Sequence, residues 1–215
     1  MSDLPWTAVL AALAGGAFGL LADLLAARWP EHEPGTPPRG LDWRTALVVL
    51  AGAGISAGLV LRWSEPLDLL ILFVYCAALI VLLATDLDQK LLPDLLTLPL
   101  IGFTAVLLMA GWSPLLADKS EALLSGVLAG LGAPIFLAVT DFLLRGALGL
   151  GDLKLAVSLG LMSGVSRLFS GFLIASVLAS VVLIGLIVAR RIGLRSAIPF
   201  GPILIAAGFV AALLP

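Results

Sequence analysis

Two acidic segments of the chain have residues suited to acid–base chemistry. Asp86 follows a long apolar run and opens the segment DLDQKLLPD, which ends at Asp94. Asp152 ends the segment GLGD, which begins at Gly149. Two carboxyl groups that share a site titrate apart, so that one accepts a proton while the other donates one. Such a pair can activate a water molecule for attack on a peptide carbonyl.

The residues needed for other kinds of catalytic site are scarce. The single cysteine, Cys76, lies in an apolar run and is interpreted as a small buried side chain. The single histidine, His32, lies in a charged loop between two glutamates and is interpreted as solvated. The sequence shows no Cys–His or Ser–His pairing inside the apolar segments and no cluster with metal-ligand spacing. We therefore expect no metal and no cofactor.

Each acid also has an explanation that requires no catalysis. An aspartate at a helix N-terminus is stabilised by the macrodipole, and Asp94 is interpreted mainly as such a cap. The same explanation would suit Asp152. The C-terminal end of a helix repels negative charge, so Asp86 is harder to explain in this way. Asp88 is interpreted as an ordinary interfacial acid. On the residues alone, capping or interfacial roles stay open beside a paired-carboxylate site.

Two glycines stand close to the second acid. Gly149 and Gly151 have no Cβ, so a substrate strand or another helix could approach Asp152 closely. A flexible loop before a helix is the alternative explanation.

The composition indicates that these acids belong to a membrane protein. The chain has 215 residues, of which 61% are hydrophobic and 12% charged, and its mean hydropathy is +1.17. A soluble domain has about twice this charged fraction. No basic tract with interleaved aromatic residues is present, which argues against a nucleic-acid-binding protein.

Eight apolar segments are candidates for membrane helices, each of which needs roughly 20 apolar residues to cross the bilayer. The sequence thus predicts an all-α fold, a polytopic transmembrane bundle of about eight helices. The predicted bundle is a single membrane-embedded domain over residues 1–215, with a short cytoplasmic loop at 28–44. The predicted spans are 6–27, 45–62, 67–85, 95–111, 122–144, 153–165, 168–189 and 198–214. An alternative joins residues 153–189 into a bent hairpin that turns between Ser163 and Arg167.

The basic residues predict the orientation of these helices. Cytoplasmic loops are enriched in Lys and Arg, and most of the 12 basic residues fall on one side if the N-terminus lies outside. We therefore predict an N-out, C-out protein with both acidic segments on the cytoplasmic side. The first apolar run is expected to be a retained helix and not a signal peptide, because acidic Asp3 and no basic region precede it.

Three blocks of the sequence together resemble the type IV prepilin peptidases, which are membrane aspartic peptidases with a GxGD motif. The resemblance covers about the C-terminal two thirds of the chain, from residue 67. The motif residues are, in chain order, Asp86, Pro93 and Asp94, then Gly149, Gly151, Asp152 and Lys154, and finally Pro199, Phe200 and Gly201.

The resemblance implies that Asp86 and Asp152 are the catalytic pair and that the other motif residues support the site. It implies a prepilin-like or pseudopilin-like substrate, whose short basic leader is cut at the cytoplasmic face of the cell membrane. Fuller members of the family carry a zinc-binding domain with CxxC motifs after the first helix and also N-methylate the product. The corresponding loop here, at 28–44, has no cysteine. We therefore expect a peptidase without zinc and without methyltransferase activity.

Two other functions remain open. A GxGD intramembrane peptidase of the presenilin kind would have a Tyr-Asp pair on its first catalytic helix, whereas Thr85 precedes Asp86 here. A transporter, an assembly subunit or an inactive family relative could use its acids for proton or cation handling, and Asp23 and Asp141 would suit that role. Transporters often contain internal repeats, and we find no convincing repeat.

Overall fold

The computed structural model describes residues 4–30, 39–116, 119–144, 148–188 and 200–214. Over these ranges the regular secondary structure is helical, which confirms the predicted fold class. Five of the helices are long and apolar enough to cross a membrane, and α4 and α7 are shorter apolar helices. The helices are α1 (Leu4–Ala26), α2 (Trp43–Arg62), α3 (Pro66–Gln89), α4 (Asp94–Ala110), α5 (Lys119–Leu144), α6 (Leu150–Val188) and α7 (Gly201–Leu213).

Helix α6 is interrupted at Gly164. The φ of 67° and ψ of −178° at this residue are not helical, and only glycine adopts this conformation readily. The break lies inside the turn predicted for the alternative hairpin. The eight predicted spans therefore correspond to seven helices, because the sixth and seventh spans are the two arms of α6.

The two arms of α6 run in opposite directions along α7. In the first arm, Leu159 lies against Gly208 in the middle of α7. Just after the break, Arg167 donates a hydrogen bond to the carbonyl oxygen of Leu214 at the end of α7, at 3.0 Å. The far end of the second arm, near Val182, lines an apolar groove together with the first turn of α7. Both outer ends of α6 therefore lie towards the beginning of α7.

Helix α3 occupies the centre of the bundle. Half of its apolar span is buried, which is the largest share among the five long helices. Its side chains Leu72, Tyr75, Leu79 and Leu82 have no solvent exposure and form much of the apolar core. Burial along this helix fixes the position of its last turn, which carries Asp86 and Asp88.

A cluster of charged side chains joins the ends of α1, α2 and α3. Arg39 forms ion pairs with Asp23 of α1 and with Asp88 of α3, and the second pair has a distance of 3.1 Å. Arg44 of α2 pairs with the same oxygen of Asp88 at 3.2 Å. Thr45 donates a hydrogen bond to Asp23 at 2.6 Å. We call Asp23, Arg39, Arg44 and Asp88 the Arg39 cluster.

The Arg39 cluster corrects one sequence-based interpretation. Asp88 is not an ordinary interfacial acid, because its side chain is only 5% exposed and is paired with two arginines. The loop that carries Arg39 was predicted at 28–44, and its residues 31–38, including His32, lie outside the described residues.

Replacing Asp88 by asparagine is expected to lower the free energy of unfolding by about 3 kcal/mol. The substitution removes a buried negative charge and leaves the guanidinium of Arg39 undercompensated. Thermal unfolding in detergent or lipid would measure the loss. Asp68→Asn, in the first turn of the same helix, is the matched control and should change stability little. Equal stability of the two variants would contradict a stabilising role for the cluster.

Candidate active site

Asp86 lies in the last turn of α3 with 4% of its surface exposed. The helix ends because Lys90 takes the left-handed conformation, with a φ of 55°, and donates its N–H to the carbonyl oxygen of Asp86 at 2.9 Å. The carboxyl group faces Gly201, the first residue of α7, where a Cβ atom would lie 2.6 Å from Oδ2. Among the described residues, Oδ2 has no hydrogen-bond partner. The contact between α3 and α7 thus positions a buried carboxyl group, one oxygen of which is unpaired within the described part of the chain.

Asp152 is the third residue of α6 and is 9% exposed. The N–H of Gly149 donates to Oδ2 of Asp152 at 3.2 Å, and the N–H of Asp152 donates to the carbonyl oxygen of Gly149 at 3.1 Å. This is the half of a capping box in which an acidic side chain reaches back to the start of its helix. The other oxygen, Oδ1, is buried and has no partner in the described part of the chain. One oxygen of Asp152 therefore accepts a hydrogen bond at the start of its helix, and the other has no partner in the ranges that the structure describes.

The structure brings the carboxyl groups of Asp86 and Asp152 into electrostatic range of each other. The ammonium group of Lys90 also acts on Asp86. A buried polar atom without a partner costs about 1–3 kcal/mol. Each of the two unpaired oxygens, Oδ2 of Asp86 and Oδ1 of Asp152, can be satisfied by a water molecule or by a peptide group. The arrangement is therefore suited to general acid–base chemistry on a bound peptide.

The motif residue Asp94 does not cap α4 as expected. Pro93 is the residue before the helix, no side chain caps it, and Asp94 lies inside the first turn. Oδ1 of Asp94 instead accepts a hydrogen bond from the ammonium group of Lys154 at 2.5 Å. Lys154, for which the motif alone implies no specific role, thus links α6 to the beginning of α4.

The third motif block meets the first block across the bundle. Phe200 precedes α7, and its ring centroid lies 6.2 Å from that of Phe172 in the second arm of α6. Gly201 packs directly against the carboxyl group of Asp86. Pro199 lies outside the described residues. The contact with Asp86 was not predicted, although the PFGP pattern identified the residue that makes it.

Within the described ranges, no group of three or more His, Cys, Asp or Glu side chains could hold a metal ion. The two acids that suited a transporter have partners there. Asp23 belongs to the Arg39 cluster, and Oδ1 of Asp141 accepts the N–H of Leu148 at 2.7 Å.

Comparison with known proteins gives matches along most of the chain. Residues 73–184 match the type IV leader peptidase family. The prepilin leader peptidase/N-methyltransferase of Aeromonas salmonicida (strain A449) is 35% identical over 171 residues, which are 78% of this chain and 52% of that protein. The protein of the same name from Burkholderia pseudomallei (strain K96243) is 35% identical over 172 residues, 77% of this chain and 53% of that protein.

A more distant relative, the prepilin leader peptidase/N-methyltransferase of Bacillus subtilis (strain 168), is 31% identical over 166 residues, which are 77% of this chain and 61% of that protein. The chain spans about half the length of the first of these relatives. No solved structure matches the chain.

Proposed function

The chain belongs to the type IV leader peptidase family, and from that premise we propose that it is a membrane aspartic endopeptidase acting through Asp86 and Asp152. Its substrates are prepilin-like or pseudopilin-like proteins, from which it removes a basic leader peptide. One observation carries the proposal: two carboxyl groups from separate motif blocks are buried at helix ends, and each has a buried oxygen without a hydrogen-bond partner among the described residues.

The proposed reaction needs only the two acids and water. The ionised carboxylate takes a proton from a water molecule while the water oxygen bonds to the peptide carbonyl carbon. The protonated carboxyl group gives its proton to the carbonyl oxygen, which forms a tetrahedral diol. The carbon–nitrogen bond then breaks, the first acid returns its proton to the leaving amine, and the second acid recovers a proton from the diol. The products are a leader with a free carboxyl group and a mature chain with a free amine.

We place the reaction at the cytoplasmic face of the cell membrane. The chain is an integral membrane protein in lipid, and the distribution of its basic residues favours the N-out, C-out orientation. In that orientation the ends of α3 and α6 that carry the acids lie on the cytoplasmic side, where a basic leader would also lie.

Peptidase activity alone is proposed for this chain. The curated relatives carry both activities in their names, whereas the sequence between α1 and α2 has no cysteine with which to hold zinc.

The test is cleavage of a purified prepilin-like substrate with a basic leader by the purified chain in lipid. Mass spectrometry should find two products that together contain one added water molecule. The mature product should carry no added methyl group, even when S-adenosylmethionine is present. A methylated product would contradict the peptidase-only proposal. Intact substrate after incubation with folded protein would contradict the peptidase proposal and favour a non-enzymatic membrane component.

Removing divalent metals is expected to leave the cleavage rate unchanged, because carboxyl groups and water supply all the proton transfers. Cleavage would be timed before and after dialysis against a chelator. A rate that falls and then recovers when zinc is added back would show that a metal takes part.

A further inference from the structure

The segment that joins α3 to α4, together with the first residue of α4, contacts the start of α6 at two points. The first is the 2.5 Å ion pair between Asp94 and Lys154. The second is a close contact, since a Cβ atom on Gly151 would lie 2.8 Å from Cβ of Leu92 and 3.3 Å from its carbonyl oxygen. The first contact therefore joins the first residue of α4, and the second joins the segment between α3 and α4, to the first turns of α6.

These contacts can affect the separation of the two acids, because each acid lies within a few residues of one side of the contacts. Asp86 is in the last turn of α3, immediately before the joining segment, and Asp152 lies between Gly151 and Lys154. The backbone at Pro93 has a φ of −64°, which its ring fixes, so Asp94 begins α4 directly after a stiff residue. Movement of this segment relative to α6 would change the separation of the two acids.

We infer that Asp94 and Lys154 form a positioning pair, which holds the end of α3 against the start of α6 and so sets the spacing of Asp86 and Asp152. The inference rests on the proposed function, since it assigns a role in catalysis to motif residues that take no part in proton transfer. The Gly151–Leu92 contact limits how closely the two elements approach, and the ion pair limits how far they separate.

The expected effects on stability and on rate distinguish a positioning pair from a pair that only stabilises the fold. The side chains of Asp94 and Lys154 are 61% and 32% exposed, and an exposed ion pair contributes little to stability. A displacement of reacting groups by about 1 Å can nevertheless lower a rate by roughly a hundredfold. Loss of the pair should therefore lower kcat far more than it lowers the melting temperature.

A double-mutant cycle tests the inference, with kcat, KM and the melting temperature measured for wild type, Asp94→Asn, Lys154→Met and the double variant. Each single substitution should lower kcat by roughly tenfold and leave KM and the melting temperature near their wild-type values. The double variant should be no slower than either single variant, because the two residues act through one contact. Lys154→Arg, which can keep the ion pair, should retain most of the activity.

Three results of the cycle would overturn the inference. Losses that multiply in the double variant would mean that the residues act independently. A loss for Lys154→Met without one for Asp94→Asn would mean that Lys154 acts on Asp152 through its charge. Losses of kcat that match a loss of folded protein would mean that the pair only stabilises the fold.

A second measurement tests the pair without using activity. Spin labels are attached to cysteines that replace the exposed residues Leu91 and Leu150, after Cys76 has been replaced by alanine so that no other thiol is labelled. The labels report the distance between the joining segment and α6. The distance distribution should be narrow in the parent protein and broader after Lys154→Met. An unchanged distribution would overturn the inference. Because this result does not depend on cleavage, failure of the proposed peptidase function and failure of the positioning pair can be told apart.

Discussion

Replacing either Asp86 or Asp152 by asparagine is expected to lower the rate of leader cleavage by at least about a hundredfold in a protein that still folds. General acid–base catalysis contributes roughly a hundredfold to ten-thousandfold, and an amide can neither accept nor donate the required proton at neutral pH. In the Asp152→Asn variant the amide oxygen of the new side chain can still accept the N–H of Gly149, so the start of α6 should survive the substitution. Cleavage of purified substrate and thermal unfolding would be measured together.

The control for these variants is Asp68→Asn, which changes an acid in the first turn of α3, far along the helix from Asp86. Asp88→Asn is unsuitable as a control, because it disturbs the Arg39 cluster two residues from Asp86. If Asp86→Asn or Asp152→Asn cleaves at the rate of Asp68→Asn, that residue is not catalytic.

Gly201→Ala is expected to lower the cleavage rate by roughly a hundredfold, which is the second large effect. The new methyl group would lie within 2.6 to 2.9 Å of Oδ2, Cγ and Oδ1 of Asp86. The carboxyl group would have to rotate away or α7 would have to shift, and misplacement of a reacting group by about 1 Å has an effect of this size. The rate would be measured at saturating substrate, so that the change appears in kcat.

Gly102→Ala is the matched control for this substitution. Gly102 lies in α4, where a new Cβ atom would meet no atom within 4 Å. The alanine should leave the cleavage rate unchanged and could raise stability slightly, since alanine favours a helix over glycine. A Gly201→Ala protein as active as Gly102→Ala would show that the packing of α7 against Asp86 is not needed for catalysis.

The helices and the ends that carry the acids could be predicted because the information is local in the sequence. Apolar runs gave all the helices to within a few residues, and the break at Gly164 fell where a turn was expected. The GLGD segment indicated an acid in the first turn of a helix, which is where Asp152 lies. Such elements can be predicted from local apolar runs and composition, without knowing which helices pack against each other.

The partners of the charged residues could not be predicted, because they come from distant parts of the chain. Lys154 is 60 residues from Asp94, and Arg44 is 44 residues from Asp88. An acid at a helix end looks like a cap in the sequence, and only the packing of the bundle shows the cation beside it. For the same reason the pairing of Asp86 with Asp152 stayed open on the residues alone and came from the resemblance to a family.

The interruption at Gly164 also has a consequence for biogenesis. As one straight helix, the 39 residues of α6 would be about 58 Å long, roughly twice the thickness of the hydrocarbon core. The insertion machinery must therefore resolve this segment into two passes through the bilayer. If it were threaded as one pass, α7 would start on the opposite leaflet and Gly201 could not reach Asp86. The break at Gly164 allows α6 to cross the bilayer twice, which lets the last helix begin on the same side of the membrane as Asp86.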